Sequence, residues 1–329
     1  MAKPKKADWP SRLSRRLTGV LSHDYFFVGI VVFFFLQMAW IALSAIYPML
    51  FDEEYHLGII EIYSRGLSPF ITAQPPEAAF HGDITRYGSY FFHYLMSFPY
   101  RLVTLFTHDL HAQVVALRFV CISFVLAGLW LFKKVLVRGG LSKAKTHVVL
   151  LVFTLIPIVP FALAQLNYDA LVFLLVPLMF YLAQKTAVHS SNQAWLLGLL
   201  ITVGSLAAIV KFTTLPIFVG ALLFVGFYLV RQYRRALPRK LWKQYRAMPQ
   251  WRAIILALVL FCGLGLFAER YGVNLATYHA LEPKCDRLHS DEECLDYTVF
   301  RRDTTWRAKY SQSPYPLMNP LEYLSLIHI

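Results

Sequence analysis

The sequence predicts an all-α fold, a polytopic membrane helix bundle, and three observations predict it. Of the 329 residues, 57% are hydrophobic and 16% aromatic, with a mean hydropathy of +0.49, well outside the range of soluble globular chains. Seven apolar runs approach the roughly 20 residues needed to cross a hydrocarbon core of about 30 Å. The 32 basic residues outnumber the 19 acids, yet they sit in blocks between those runs and not on one solvated face, which argues against a nucleic-acid partner.

The seven runs are 25–50, 114–132, 147–164, 170–183, 194–210, 213–230 and 253–268. The first is too long for a cleavable signal peptide and has no small-residue cleavage site before the acids that follow it, so it reads as a signal anchor. A further apolar run, 88–106, carries His93, Pro99 and Arg101 among many aromatics. Charge decides its placement, because Lys and Arg flanking membrane segments accumulate on the cytoplasmic side. With the N-terminus inside and 88–106 lying in the interface, segments 1–24, 133–146, 184–193 and 231–252 are cytoplasmic. They carry 20 of the 32 basic residues and only two acids, Asp8 and Asp24. A crossing at 88–106 would instead move the basic loop 133–146 outside. The expected organisation is therefore a basic cytoplasmic tail (1–24), a transmembrane domain (25–268) containing a first extracytoplasmic loop (51–113), and an extracytoplasmic segment (269–329).

Within the first loop, the stretch FDEEYHLG begins at Phe51 and places three acids and a histidine directly after an apolar run. Residues 52–64 read as a helix, since acids in a first turn suit the positive end of the helix dipole and Gly66 just past the end suits a C-cap. Tyr55, Ile59 and Ile62 repeat at helical spacing on a face toward the bilayer or the bundle. Asp52, Glu53 and His56 share another face. Residues 68–86, with three prolines and His81, read as an irregular loop able to close over a site. Residues 87–106 read as a second interfacial helix with aromatics at headgroup depth. At the far end, LEYLSLIHI (321–329) resembles the approach to another membrane helix, so a longer protein is expected.

Of four cysteines, Cys121 and Cys262 lie in apolar runs and read as packing residues, whereas Cys285 and Cys294 lie in the outer segment and are expected to form a disulfide. Three ionisable residues sit at the margins of apolar runs: Arg118 in ALRFV, Asp169 in LNYDALVF and Lys211 in AAIVKFTTLP. A charge near hydrocarbon costs a few kcal/mol and usually marks a partner or an aqueous cavity. Taken singly, Arg118 and Lys211 also read as snorkelling to headgroups, Asp169 as a helix N-cap, and the acid cluster as a solvated helix start. The predicted topology puts all four at one leaflet edge, which favours a polar site where acids act on a hydroxyl and cations hold a phosphate.

These residues resemble, in order, the polytopic lipid-phosphosugar glycosyltransferases of the GT-C superfamily, protein O-mannosyltransferases and bacterial aminoarabinose transferases among them. FDEEYHLGIIEIYSRG is similar to their first outer loop, where an Asp-Glu pair follows the first transmembrane helix, although the nearby His of the mannosyltransferase motif is displaced by one here. RYGSYFFHYLMSFPYRLVTLF resembles the interfacial helix of that loop, and ALRFVCISF the Arg-bearing start of the second helix. LNYDALVFLLVPLMFYLA resembles the fourth helix with its outward Asp, and LAAIVKFTTLP the Lys-bearing turn after the fifth. The resemblance covers roughly residues 25–230. LIPIVPFALAQLNYD also resembles a family of membrane proteins that share this outline without an assigned activity.

The resemblance implies glycosyl transfer from a polyprenyl-phosphate sugar at the extracytoplasmic face of a membrane of the bacterial plasma-membrane type, within the cell envelope. Asp52 would take a proton from an acceptor hydroxyl or orient it, with Glu53 its neighbour or substitute. Lys211, assisted by Arg118, would neutralise the leaving phosphate, and Asp169 would orient Lys211 or a sugar hydroxyl. His56 is a further substrate-binding candidate. The acceptor is a lipid, a glycan or a protein, and membrane lipids surround the chain. A divalent metal is left open, with Asp52, Glu53 and His56 as its ligands if one binds, because carboxylate plus imidazole suits Mn or a similar ion. No Gly-rich phosphate loop or dinucleotide motif is present, which fits a lipid-borne donor better than a soluble nucleotide sugar. The competing reading is a polytopic protein without enzymatic activity, such as a carrier for lipid-linked sugars, which would place polar residues along an inner pathway near the bilayer midplane.

Overall fold

The structure, a computed structural model, describes residues 9–49, 52–188, 191–297, 301 and 304–305. Phe51 and the terminal stretch LEYLSLIHI therefore lie outside the described residues. Those described are helical and irregular, with no strand among them.

Helix α1 (Trp9–Ser22) precedes α2 (Asp24–Ser44), whose 21 residues span about 31 Å at 1.5 Å per residue. Helices α3 (Glu53–Ser64) and α4 (Phe91–Thr104) follow in the first loop, joined through a 3₁₀ turn at Pro76–His81. At 14 residues, α4 is too short to span the bilayer, in keeping with the interfacial placement expected from the charge of the flanking segments. Helix α5 (Leu110–Arg138) runs for 29 residues, longer at both ends than its apolar run, because the basic tail from Lys133 continues the helix to Gly139.

The run 147–164 is not one straight helix. It is α6 (Lys143–Leu155) and α7 (Ile158–Ala164), bent by 74° at the break. Pro157 explains the bend. It pushes Ile156 out of the helical region, to φ −71 and ψ 115, and supplies no amide donor of its own. The remaining helices are α8 (Asp169–Val188), α9 (Gln193–Val210), α10 (Leu215–Tyr233), α11 (Leu237–Arg246), α12 (Gln250–Phe267), α13 (Val273–Tyr278) and α14 (Asp291–Asp296). Among the described residues, six helical stretches are long and apolar enough to cross a membrane, and up to seven if the bent α6–α7 pair is one span. The chain is thus a multi-pass membrane helix bundle.

Lipid is as apolar as a protein core, so close packing more than the hydrophobic effect holds such helices together. Phe34 and Met38 of α2 meet Leu117, Cys121 and Val125 of α5 and Leu171 of α8 in one fully packed cluster. Gly128 lets α5 approach α8 so closely that any Cβ there would run into the Phe173 carbonyl. A second cluster joins α8, α9 and α10 through Met179, Leu200, Phe218 and Val225.

This packing alternates the helix directions, so the start of α3, the starts of α8 and α10 and the ends of α9 and α12 gather at one end of the bundle. The opposite end collects the basic residues. There Lys133 and Lys143 both donate to the Asp24 carboxylate, at 2.8 and 2.9 Å, tying the start of α2 to the end of α5 and the start of α6.

Candidate functional site

Asp52 sets the geometry of the acid cluster. It precedes α3 in the left-handed conformation (φ 63, ψ 25) and is exposed. Asp tolerates this region better than most residues, though holding a non-glycine there costs about 1 kcal/mol. Once the helix begins, each residue turns by about 100° from the last, so adjacent acids part company. Glu53 points into the protein with no exposed surface, while Glu54 is exposed.

Glu53 is held by Arg118. The guanidinium donates from Nε to Oε1 at 2.8 Å and from Nη2 to Oε2 at 2.7 Å. Two backbone amides complete the carboxylate shell, Met49 to Oε2 at 2.8 Å and Leu166 to Oε1 at 3.0 Å. The Nη1 group of Arg118 donates to the carbonyls of Ala42 and Ala45, which end α2. Both side chains are fully buried. This overturns the expectation that Glu53 backs up Asp52 and that Arg118 reaches a phosphate, since their polar atoms serve each other and four backbone groups. The pair fastens the end of α2, the start of α3, α5 and the turn before α8.

The shared polar face expected for Asp52, Glu53 and His56 is likewise absent. His56 is buried, its Nδ1 lies 2.9 Å from Nε2 of His93, and the two rings are stacked. Burial pushes the His93 imidazole down to about 3, and lowers that of His56 well below the usual histidine range, with His93 and Lys211 adding like-charge repulsion there. Both rings are therefore neutral near pH 7, and one donates to the other. Among the described residues, no three His, Cys, Asp or Glu side chains come together to hold an ion. Asp52, Glu53 and His56 do not form a metal site, because Glu53 faces Arg118 and His56 faces His93. The helix itself ends at Arg65 in ordinary right-handed geometry, so Gly66 is no left-handed cap.

Lys211 and Asp169 do meet. Asp169 opens α8 and Lys211 caps α9, and Nζ lies 2.6 Å from Oδ1. Lys211 is 27% and Asp169 41% exposed, so this pair, unlike the first, keeps a face to solvent. Nζ also lies 4.6 Å from the centre of the Tyr168 ring, a cation–π contact. Tyr168 packs edge-on against His56, with ring centres 4.7 Å apart.

Tyrosines connect this pair to Asp52. Tyr55 and Tyr87 share a side-chain hydrogen bond, and Ser89 bonds to Tyr87. Ser89 Oγ also accepts from the Phe212 amide at 3.1 Å, which pins the turn after α9 beside the start of α4. Burial raises the phenol pKa values of Tyr55 and Tyr87, and the nearby Asp52 charge raises them further. Glu54 is the acid acting on His81, and it acts on Tyr47 together with Glu53 and Glu61.

The segment after α12 closes over this end. Arg86 donates to Glu269 at 2.8 Å and to Asn274 at 2.7 Å, and Arg270 donates to the Thr85 carbonyl at 2.6 Å. His289 bonds Asp83 at 2.5 Å, and Cys285 and Cys294 form a disulfide. Glu282 comes to rest against Gly88, and protein around its carboxyl raises its pKa. The sequence signals missed Tyr55, Tyr87, Tyr168, His93 and Glu282. Tyr168 directly precedes Asp169, a cue that adjacency to a charged residue offered. Glu282 lies 195 positions beyond Tyr87, and nothing local marks it.

No protein-family model, curated protein or solved structure matches the chain.

Proposed function

We propose that this multi-pass protein is a glycosyltransferase of the GT-C type, which moves a sugar from a polyprenyl-phosphate donor to an acceptor at the extracytoplasmic face of a bacterial-type plasma membrane. The observation that carries the reading is an exposed, conformationally strained Asp52 beside tyrosines that lead to a half-open Lys211–Asp169 pair. A carboxylate and a cation flanking aromatic walls suit a sugar phosphate whose lipid tail stays in the bilayer.

In this reading Asp52 takes the proton from an acceptor hydroxyl. The acceptor oxygen forms a bond to the anomeric carbon while the bond from that carbon to the phosphate oxygen breaks. The electron pair leaves with the polyprenyl phosphate, whose growing charge Lys211 neutralises. Electrostatic help of this kind is commonly the largest catalytic contribution. Asp169 keeps Lys211 in place, and Tyr168 offers a face to the sugar. Asp52 is preferred over its neighbours because Glu53 is enclosed by Arg118, and Glu54 lies toward Tyr47 and His81.

The test is transfer from a panel of radiolabelled polyprenyl-phosphate sugars to lipid, glycan or protein acceptors in membranes, comparing the chain with its Asp52→Asn variant. Donor binding without turnover in the unaltered protein would favour the carrier instead.

A further inference from the structure

The end of the bundle opposite Asp52 holds two adjoining cavities. One, of about 320 Å³, lies between the first turns of α9 and α12 and the last turn of α11, lined by Ser191, Asn192, Trp195, Lys243, Gln244 and Arg252. The other, of about 540 Å³, is an apolar groove bordered by Leu197, Ile201, Leu241, Leu256, Ala257 and Leu260. Ala194 lines both, so the polar cavity and the groove share a wall. The groove is a built feature. Gly198 admits the Leu256 side chain, which a Cβ there would strike at 2.6 Å, and Gln244 accepts a hydrogen bond from the Ala194 amide at 3.0 Å, holding α11 across the start of α9.

Charge is one-sided here. Residues 231–252 carry eight Lys and Arg and no acid. Among the described residues, neither Lys243 nor Arg252 has an acidic partner in an ion pair, and Arg252 instead lies 5.0 Å from the Trp251 ring centre. The two helix N-termini at the polar cavity add to the same positive field. Trp242, Tyr245 and Trp251 are exposed around the rim, the aromatic girdle expected at headgroup depth.

We propose that this cleft is a binding site for one anionic phospholipid, with its phosphate between Lys243 and Arg252 and an acyl chain in the groove. Neither half alone specifies a lipid. A basic cavity would take any phosphate and an apolar groove any alkyl chain, but the two sharing a wall match a molecule that is anionic at one end and apolar at the other. By the charge distribution this is the cytoplasmic leaflet, so the site is separate from the one proposed for transfer and stands without it.

The test is native mass spectrometry of the full, delipidated chain titrated with phosphatidylglycerol or phosphatidylcholine of identical acyl chains, with glycerol 3-phosphate as competitor. The expected result is at least tenfold tighter binding of phosphatidylglycerol. Lys243→Gln with Arg252→Gln abolishes that preference, whereas Arg231→Gln keeps it. Ala257→Trp, on an exposed groove wall, weakens both lipids, and glycerol 3-phosphate does not compete. Equal binding of the two lipids would overturn the proposal, as would a preference that survives the double substitution, unchanged lipid binding in Ala257→Trp, or displacement by glycerol 3-phosphate at the lipid's own concentration.

Discussion

Glu53 and Arg118 form a two-bond ion pair, 2.8 and 2.7 Å, with neither side chain exposed. A buried pair of this kind is weak evidence of net stabilisation, but removing one partner strands the other and costs about 3–5 kcal/mol. Glu53→Gln and Arg118→Met are each expected to lower the thermal midpoint of the purified protein sharply, and the double variant to lose less than their sum. Asp52→Asn, exposed and outside the helix, leaves that midpoint almost unchanged. A melting series in one detergent distinguishes these outcomes, and a harmless Glu53→Gln would contradict the pairing.

Lys211 and Asp169 behave differently because solvent reaches both. An exposed pair contributes at most about 1 kcal/mol to stability. Lys211→Ala is therefore expected to fold and insert normally while losing transfer by a factor of about 100–1,000, the usual effect of removing one charge-stabilising donor. Asp169→Asn, which leaves the cation but frees it to move, loses less. Initial-rate measurements on the two variants check the ranking.

The His56–His93 contact predicts a direction with pH. Both imidazoles have pKa values lowered by burial, His93 to about 3, while unfolded histidines titrate near 6.5. Their contribution is fully present above about pH 6.5, where both states are neutral. It is lost as pH falls below that value, because the unfolded chain then binds protons the folded one refuses. The loss amounts to on the order of 1–2 kcal/mol per histidine by pH 5. Thermal midpoints between pH 7.5 and 5 should fall accordingly, and His93→Gln should flatten the slope.

The Cys285–Cys294 disulfide closes a short loop in the segment that covers the site end. Closing such a loop is worth about 2–3 kcal/mol locally. Cys285→Ser should make residues near 279–297 more sensitive to protease with little change in the spanning helices. A membrane-impermeant maleimide added to intact cells should label this pair only after reduction. Labelling without reductant would contradict the bond, and labelling only after lysis would contradict the orientation.

Much of the bundle was legible because crossing a membrane demands long apolar runs, and each of the seven runs contains helix, although the first helix ends at Ser44, short of the expected 50, and the third run is broken. The break at Ile156–Pro157 was not read from LIPIVP, although proline's exclusion of the helical region at the preceding residue is a local effect. Helices α1 and α11 lie in segments whose positive charge marks them as cytoplasmic without specifying structure, and an amphipathic helix at an interface tolerates many charges. Lys211, Asp169 and Asp52 were legible as charges at apolar margins. The fate of Glu53 and Arg118 was not, because a partner 65 positions away depends on how α3 turns relative to α5, and no local pattern specifies that. The same holds for His93, whose place in an aromatic helix gave no sign that it faces His56.

The most direct measurement of the central claim is sugar transfer from a radiolabelled polyprenyl-phosphate donor in membranes holding equal amounts of the chain and of its Asp52→Asn variant. Transfer is expected from the former, none above background from the latter, and donor binding from both. Full transfer by Asp52→Asn would contradict the role given to this carboxylate, and donor binding without any transfer by the unaltered chain would contradict the enzyme itself.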